Sequence, residues 1–186
     1  MKSSDLFLRS LEEEGVEYIF GVPGEENADF MLSLQESEKI RFILTRHEQG
    51  AAFMAEVYGR LTGNPAGALG TLGPGATNLI TGVADSNMDR APMLVLTGQG
   101  STNRLHKESH QIMDVVSMFR PVTKWATTIF NPETIPEIVR KADPEREGIT
   151  GFGIHFLSFA GDSQLRLESI LGAAFRIPID EVRTTS

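Results

Sequence analysis

Short apolar runs and helical stretches alternate along almost the whole chain. The runs are residues 16–20 (VEYIF), 40–44 (IRFIL), 67–72 (GALGTL), 93–97 (MLVLT), 122–127 (VTKWAT) and 153–159 (GIHFLSF). Each is short enough for a strand, and most lack the in-out alternation of a half-exposed one. Strands buried on both faces need helices on both sides and crossover connections, which makes the sheet parallel. The expected fold is therefore α/β: a three-layer sandwich with about six parallel strands between two layers of helices.

The intervening segments supply the helices. Ser3, Ser4 and Asp5 are placed to cap one with Leu6, Leu8 and Leu11 on its apolar face, and Gly15 to end it. Residues 28–34 follow, then 48–62 with Met54, Val57, Tyr58 and Leu61 on one face. Further helices are expected over 76–88 and 110–119. Another should run from an Asn131-Pro132 cap to about residue 141.

Composition narrows the function classes. The chain has 186 residues and no cysteine, which removes disulfides, thiolate metal sites and cysteine nucleophiles and suits a cytoplasmic protein. Its net charge is −8 and its basic residues are scattered, which disfavours nucleic acid as a partner. No apolar run approaches the ~20 residues of a membrane span. The opening MKSSDLFLRSLEEEG is interrupted by Arg9 and a run of glutamates, unlike a signal peptide.

In a parallel sheet, ligands bind beyond the carboxyl ends of the strands. The loops expected there are GVPGEEN (21–27), TRHEQG (45–50), GPGATN (73–78) and GQGSTN (98–103). Glu48 would lie in the first turn of a helix whose dipole favours a negative charge, beside the apolar Ala51, Ala52 and Phe53. It is either a proton-transfer group or an acidic residue complementing the dipole. The turn TLGPGATN could bring backbone N–H groups to an anion, or could be a tight strand-to-helix turn; it lacks the P-loop lysine and GxGxxG. His106 and His110 have i,i+4 spacing, but no third metal ligand accompanies them, and no metal site is expected within this chain.

Taken together, GVPGEEN, RHEQGAAFMAEVYGR (46–60), GPGATNLITGVADSNMDRAPMLVLTGQ (73–99) and HQIMDVVSMFRPVTKW (110–125) occur in one order at fitting intervals. They resemble the pyrimidine-binding domain of thiamine-diphosphate-dependent enzymes, and most of all acetolactate synthase large subunits of the catabolic kind. The resemblance runs from about residue 4 to 162, where GIHFLSFAGD is similar to the domain's closing strand. It implies a domain over 1–163 and a tail of unknown role over 164–186.

The resemblance implies that Glu48 bonds N1′ of the cofactor's aminopyrimidine and so promotes loss of the thiazolium C2 proton. It implies cofactor contacts from Val22, Pro23, Gly24, Gly73, Pro74, Gly75 and Asn78. His110 and Gln111 would face the substrate. The implied activity is decarboxylation of pyruvate and transfer of its two-carbon unit to a 2-keto acid, the chemistry of branched-chain amino acid biosynthesis.

Gly-Asp-Gly with a trailing asparagine, which holds diphosphate and Mg²⁺ in such enzymes, is absent; Gly161-Asp162-Ser163 comes nearest. The chain should therefore need a diphosphate-binding partner domain and should not act alone. A homodimer is implied through a face including Phe53, Met54, Tyr58, Leu79 and Met88. His110-Gln111-Ile112 stands where biosynthetic members have Phe-Gln-Glu, which leaves FAD without support. Two readings compete: a non-catalytic or split-enzyme subunit of a related decarboxylase or carboligase, and a flavodoxin-like nucleotide-binding protein.

Overall fold

The computed structural model describes residues 2–101, 104–105 and 110–142, and the backbone of 152–155. Among them, six strands form one parallel sheet: β1 Tyr18–Gly21, β2 Arg41–Leu44, β3 Ala66–Gly70, β4 Met93–Thr97, β5 Trp125–Thr128 and β6 Phe152–His155, in the order β2-β1-β3-β4-β6-β5. The helices are α1 Ser3–Glu13, α2 Ala28–Gln35, α3 Glu48–Thr62, α4 Pro74–Asp89, α5 Val115–Phe119 and α6 Ile135–Ala142.

The period-2 geometry of the strands sorts the core into two layers. Ile19, Leu69, Leu94 and Leu96 point to one face, where Phe7 and Leu11 of α1, Phe30 of α2 and Val139 of α6 cover them. Ala66, Ala68, Met93 and Val95 point to the other, beneath Ala52 and Ala55 of α3, Leu79 and Val83 of α4 and Phe119 of α5. Leu94 and Leu96 are almost wholly buried, each worth about 1.5–3 kcal/mol of transfer free energy. The expected three-layer α/β sandwich is the fold.

Several elements differ from expectation. On α3 the buried stripe is Ala51, Ala52, Ala55, Glu56 and Gly59; Met54, Val57 and Leu61 are exposed. Small residues let α3 approach closely: a Cβ on Gly82 of α4 would lie 2.6 Å from Ala52 Cβ. The large side chains dominate the apolar pattern, but there is no room for them on the inner side. Leu79, expected at an interface, lies instead in the core with Ala52, Ala76 and Val83.

On α1 Phe7 and Leu8 are buried and Leu6 only partly. Lys2 holds the cap position, and its N–H donates to the Asp5 carboxylate at 3.0 Å. Ser4 is buried inside the helix rather than capping it. Gly15 does follow the helix at φ +75°.

The segment 110–119 is helical only from Val115. Gln111 sits at φ +56°, which interrupts a right-handed helix, and the Asp114 side chain accepts from the Ser117 N–H at 3.0 Å to start α5. A 3₁₀ turn at Arg120–Val122 delays β5 to Trp125. His106, residues 156–159 of the expected last strand and the tail 164–186 lie outside the described residues.

Candidate functional site

The chain runs from β1 outward to β2, then crosses to the other side of β1 for β3. Such a reversal opens a crevice between the loops leaving β1 and β3. The loop after β1 carries Val22, Pro23 and Gly24. Val22 N–H donates to Leu69 O at 3.2 Å. Asn27, 1% exposed, accepts from Gly24 N–H through Oδ1 at 2.8 Å and donates through Nδ2 to Gly70 O at 3.4 Å. Thr71 Oγ1 donates to the Glu26 carboxylate at 3.3 Å. Gly24 must be glycine here, since a Cβ would lie 2.5 Å from Thr71 Cβ.

The loop after β2 ends at the N-terminus of α3. His47 caps the helix, its Nδ1 accepting from Gln49 N–H at 3.1 Å. Glu48 is the first helical residue and only 8% exposed. The loop after β3 passes through Gly73 at φ +54° into α4, with Pro74 at the first helical position. One turn on, Asn78 Nδ2 donates to Glu48 Oε2 at 3.0 Å. The other carboxylate oxygen faces Gly75, where a Cβ would lie 3.3 Å from Oε1.

Of the residues singled out in the sequence, Glu48, Gly75 and Asn78 thus form one cluster. Gly24 and Gly75 join through Thr71, which each approaches closely. Gln111 belongs to the same neighbourhood through its backbone: a Cβ on Gly73 would lie 2.7 Å from Gln111 O. His110 and Gln111 are both exposed.

Sequence reasoning missed Asn27, Thr71 and Gln99. Gln99 is 8% exposed; its Nε2 donates to Met113 O at 3.0 Å and its Oε1 accepts from Gly100 N–H at 3.0 Å, tying the 110–113 segment to the end of β4. Asn27 and Gln99 both stand in quoted loops, but their partners are distant in sequence, so only the fold reveals them.

Glu56, Asp85 and Asp89 also bring carboxylate oxygens within 4.8 Å of one another, near the far ends of α3 and α4. Arg60 stands among them, 3.0 Å from Glu56 and 2.8 Å from Asp89, so this group is held by a cation of the protein's own.

Residues 1–118 match the family model "Thiamine pyrophosphate enzyme, N-terminal TPP binding domain". The chain belongs to that family. Thiamine pyrophosphate is thiamine diphosphate under its other name. The chain is 42% identical over 142 residues to the probable acetolactate synthase large subunit of Methanocaldococcus jannaschii, covering 76% of this chain and 24% of the relative. It is 40% identical over 141 residues to acetolactate synthase 2, chloroplastic, of Nicotiana tabacum, covering 76% and 21%. Glyoxylate carboligase of Escherichia coli O157:H7 is similar at 39% over 143 residues, covering 76% and 24%. The chain therefore spans about a quarter or less of the length of these relatives.

Proposed function

We propose that residues 1–163 form the pyrimidine-binding portion of a thiamine-diphosphate-dependent carboligase of acetolactate synthase type. Such an enzyme decarboxylates pyruvate and transfers the two-carbon unit to a 2-keto acid. The observation that carries the reading is the Glu48 carboxylate. It is buried at the first turn of α3, held through one oxygen by Asn78, with the other beside Gly75.

The residues fit the aminopyrimidine end of the cofactor. The glycines at 24, 73 and 75 let the three loops pack closely on Thr71 and Gln111, which brings their backbones beside Glu48. When bound, thiamine diphosphate supplies the carbanion chemistry and acts as electron sink. Val22, Pro23, Gly24 and the Gly73-Pro74-Gly75 turn would hold the ring. Glu48 would hold and move a proton at pyrimidine N1′, a general acid/base contribution of roughly 10²–10⁴ in rate. His110 and Gln111, exposed on a turn packed against Gly73, would face the substrate. Mg²⁺ and the diphosphate fall to a partner domain.

A homodimer is part of the reading. Met54, Val57, Leu61 and Met88 leave apolar bulk uncovered on α3 and α4, Leu61 and Met88 being 81% and 80% exposed. Among the described residues no helix is long and apolar enough to cross a membrane; a cytoplasmic setting is the proposal.

The test is Glu48→Gln in the assembled enzyme. It keeps size and hydrogen-bonding capacity but removes the acid–base group. Hydrogen–deuterium exchange at C2 of the bound cofactor is expected to slow by roughly 10²–10⁴. Folding should change by no more than the dipole contribution of about 0.3–1 kcal/mol. Unchanged exchange with a lowered melting temperature would make Glu48 a helix-end residue and overturn the reading.

A further inference from the structure

We infer that Asn78 is a positioning residue for Glu48: it fixes Oε2 and leaves Oε1 as the oxygen that meets the aminopyrimidine. The inference rests on the reading of Glu48 as the proton-transfer carboxyl. It departs from the expectation that Asn78 contacts the cofactor itself.

A glutamate has three side-chain torsions, and its two oxygens are equivalent in water. Here they are not equivalent. Asn78 Nδ2 donates to Oε2 at 3.0 Å, while Oε1 faces the position where Gly75 lacks a side chain. Gly75 and Asn78 are three residues apart in the first turns of α4, so they lie on one side of that helix. One helix end therefore supplies the donor that pins Oε2 and the glycine that lies beside Oε1. An amide neither gives up nor takes a proton near neutral pH, so Asn78 can orient the carboxyl without competing for its proton. Asn78 is itself only half-buried, and Glu48 is buried. Replacing the asparagine therefore disturbs the carboxyl's orientation more than it disturbs the core.

The contact can be tested on the isotope-labelled 186-residue chain without ligand. Glu48→Gln is expected to move the Asn78 side-chain amide resonances, and Asn78→Leu to move the Glu48 Cδ resonance. If neither moves, the inference falls. Thiamine, which needs neither the diphosphate nor the Mg²⁺ site, is then titrated at millimolar concentration into the chain and its variants. Asn78→Leu is expected to weaken thiamine binding about tenfold, the loss of one hydrogen bond to a charged group, with the melting temperature near that of the parent. Asn78→Ser, which keeps a donor, should recover part of the affinity; it also replaces Asn78→Leu if the leucine variant does not fold.

Thiamine binding weakened by Glu48→Gln but untouched by Asn78→Leu would overturn the inference and leave the proposed function standing. Binding weakened by Asn78→Leu with Glu48 Cδ unmoved would make Asn78 a direct cofactor contact and also overturn it. Binding indifferent to both would remove the proposed function and the inference together.

Discussion

Asn27 closes the β1 loop onto the end of β3 with a single side chain. Its two hydrogen bonds engage backbone groups at Gly24 and Gly70, forty-six residues apart in the chain, within one buried amide. Asn27→Ala leaves both groups without that partner, at a cost of about 1–3 kcal/mol. Urea denaturation should show the loss, and the Gly24 amide should exchange hydrogen faster than in the parent. Asp5 gives a pH-dependent counterpart. The Ser33 hydroxyl, 2.7 Å away, and then the Lys2 N–H hold its carboxyl below the ordinary aspartate value of 3.8. Because the folded value is the lower one, this contribution is present above the unfolded value and lost as pH falls through the folded value. Asp5→Asn should therefore lose less stability than the parent between about pH 5 and pH 2, measured by denaturant titration at each pH.

At the scale of elements, α3 carries two faces of opposite kind. Its inner face is alanine, glycine and one buried glutamate. Glu56, 2% exposed, is matched by Arg60 one turn on. A Cβ on Gly59 would overlap the Pro92 carbonyl oxygen, a backbone atom that cannot swing aside. Gly59→Ala should destabilise the fold by about 1–3 kcal/mol, read as a lower urea midpoint with an unchanged slope. The outer face carries Met54, Val57 and Leu61. Leu61→Glu should leave the melt nearly unchanged, since that side chain is 81% exposed, and should shift light scattering toward the monomer if the dimer forms here. A parent chain that is itself monomeric at micromolar concentration counts against the dimer.

For the whole chain, the site proposed is an aminopyrimidine end alone, and no diphosphate and Mg²⁺ motif is legible in the 186 residues. Diphosphate contacts supply much of such a cofactor's affinity, and ring contacts from one domain cannot replace them. Calorimetry should therefore find weak thiamine diphosphate binding to this chain with no turnover of pyruvate. Submicromolar, Mg²⁺-dependent binding would show that the chain carries a diphosphate site of its own.

The sequence by itself determined the layered α/β architecture, because strands buried on both faces leave a continuous apolar signature. It also picked out the loops proposed to bear the ligand, because glycines and polar residues collect where the strands end. The placement of Glu48 was legible for the same reason, since a carboxyl at the entry to a core helix stands out against its neighbours; its proposed role came from the resemblance. Only the tertiary structure decided which face of α3 is buried. Large apolar residues mark a stripe in sequence, but packing distance is set by the partner helix, and Gly82 admits only alanine opposite. Likewise the long-range hydrogen bonds of Asn27, Asn78 and Gln99 reach partners from fourteen to forty-three residues away. A hydrogen bond across that separation has no local pattern, and it exists only once the sheet order has brought the loops together.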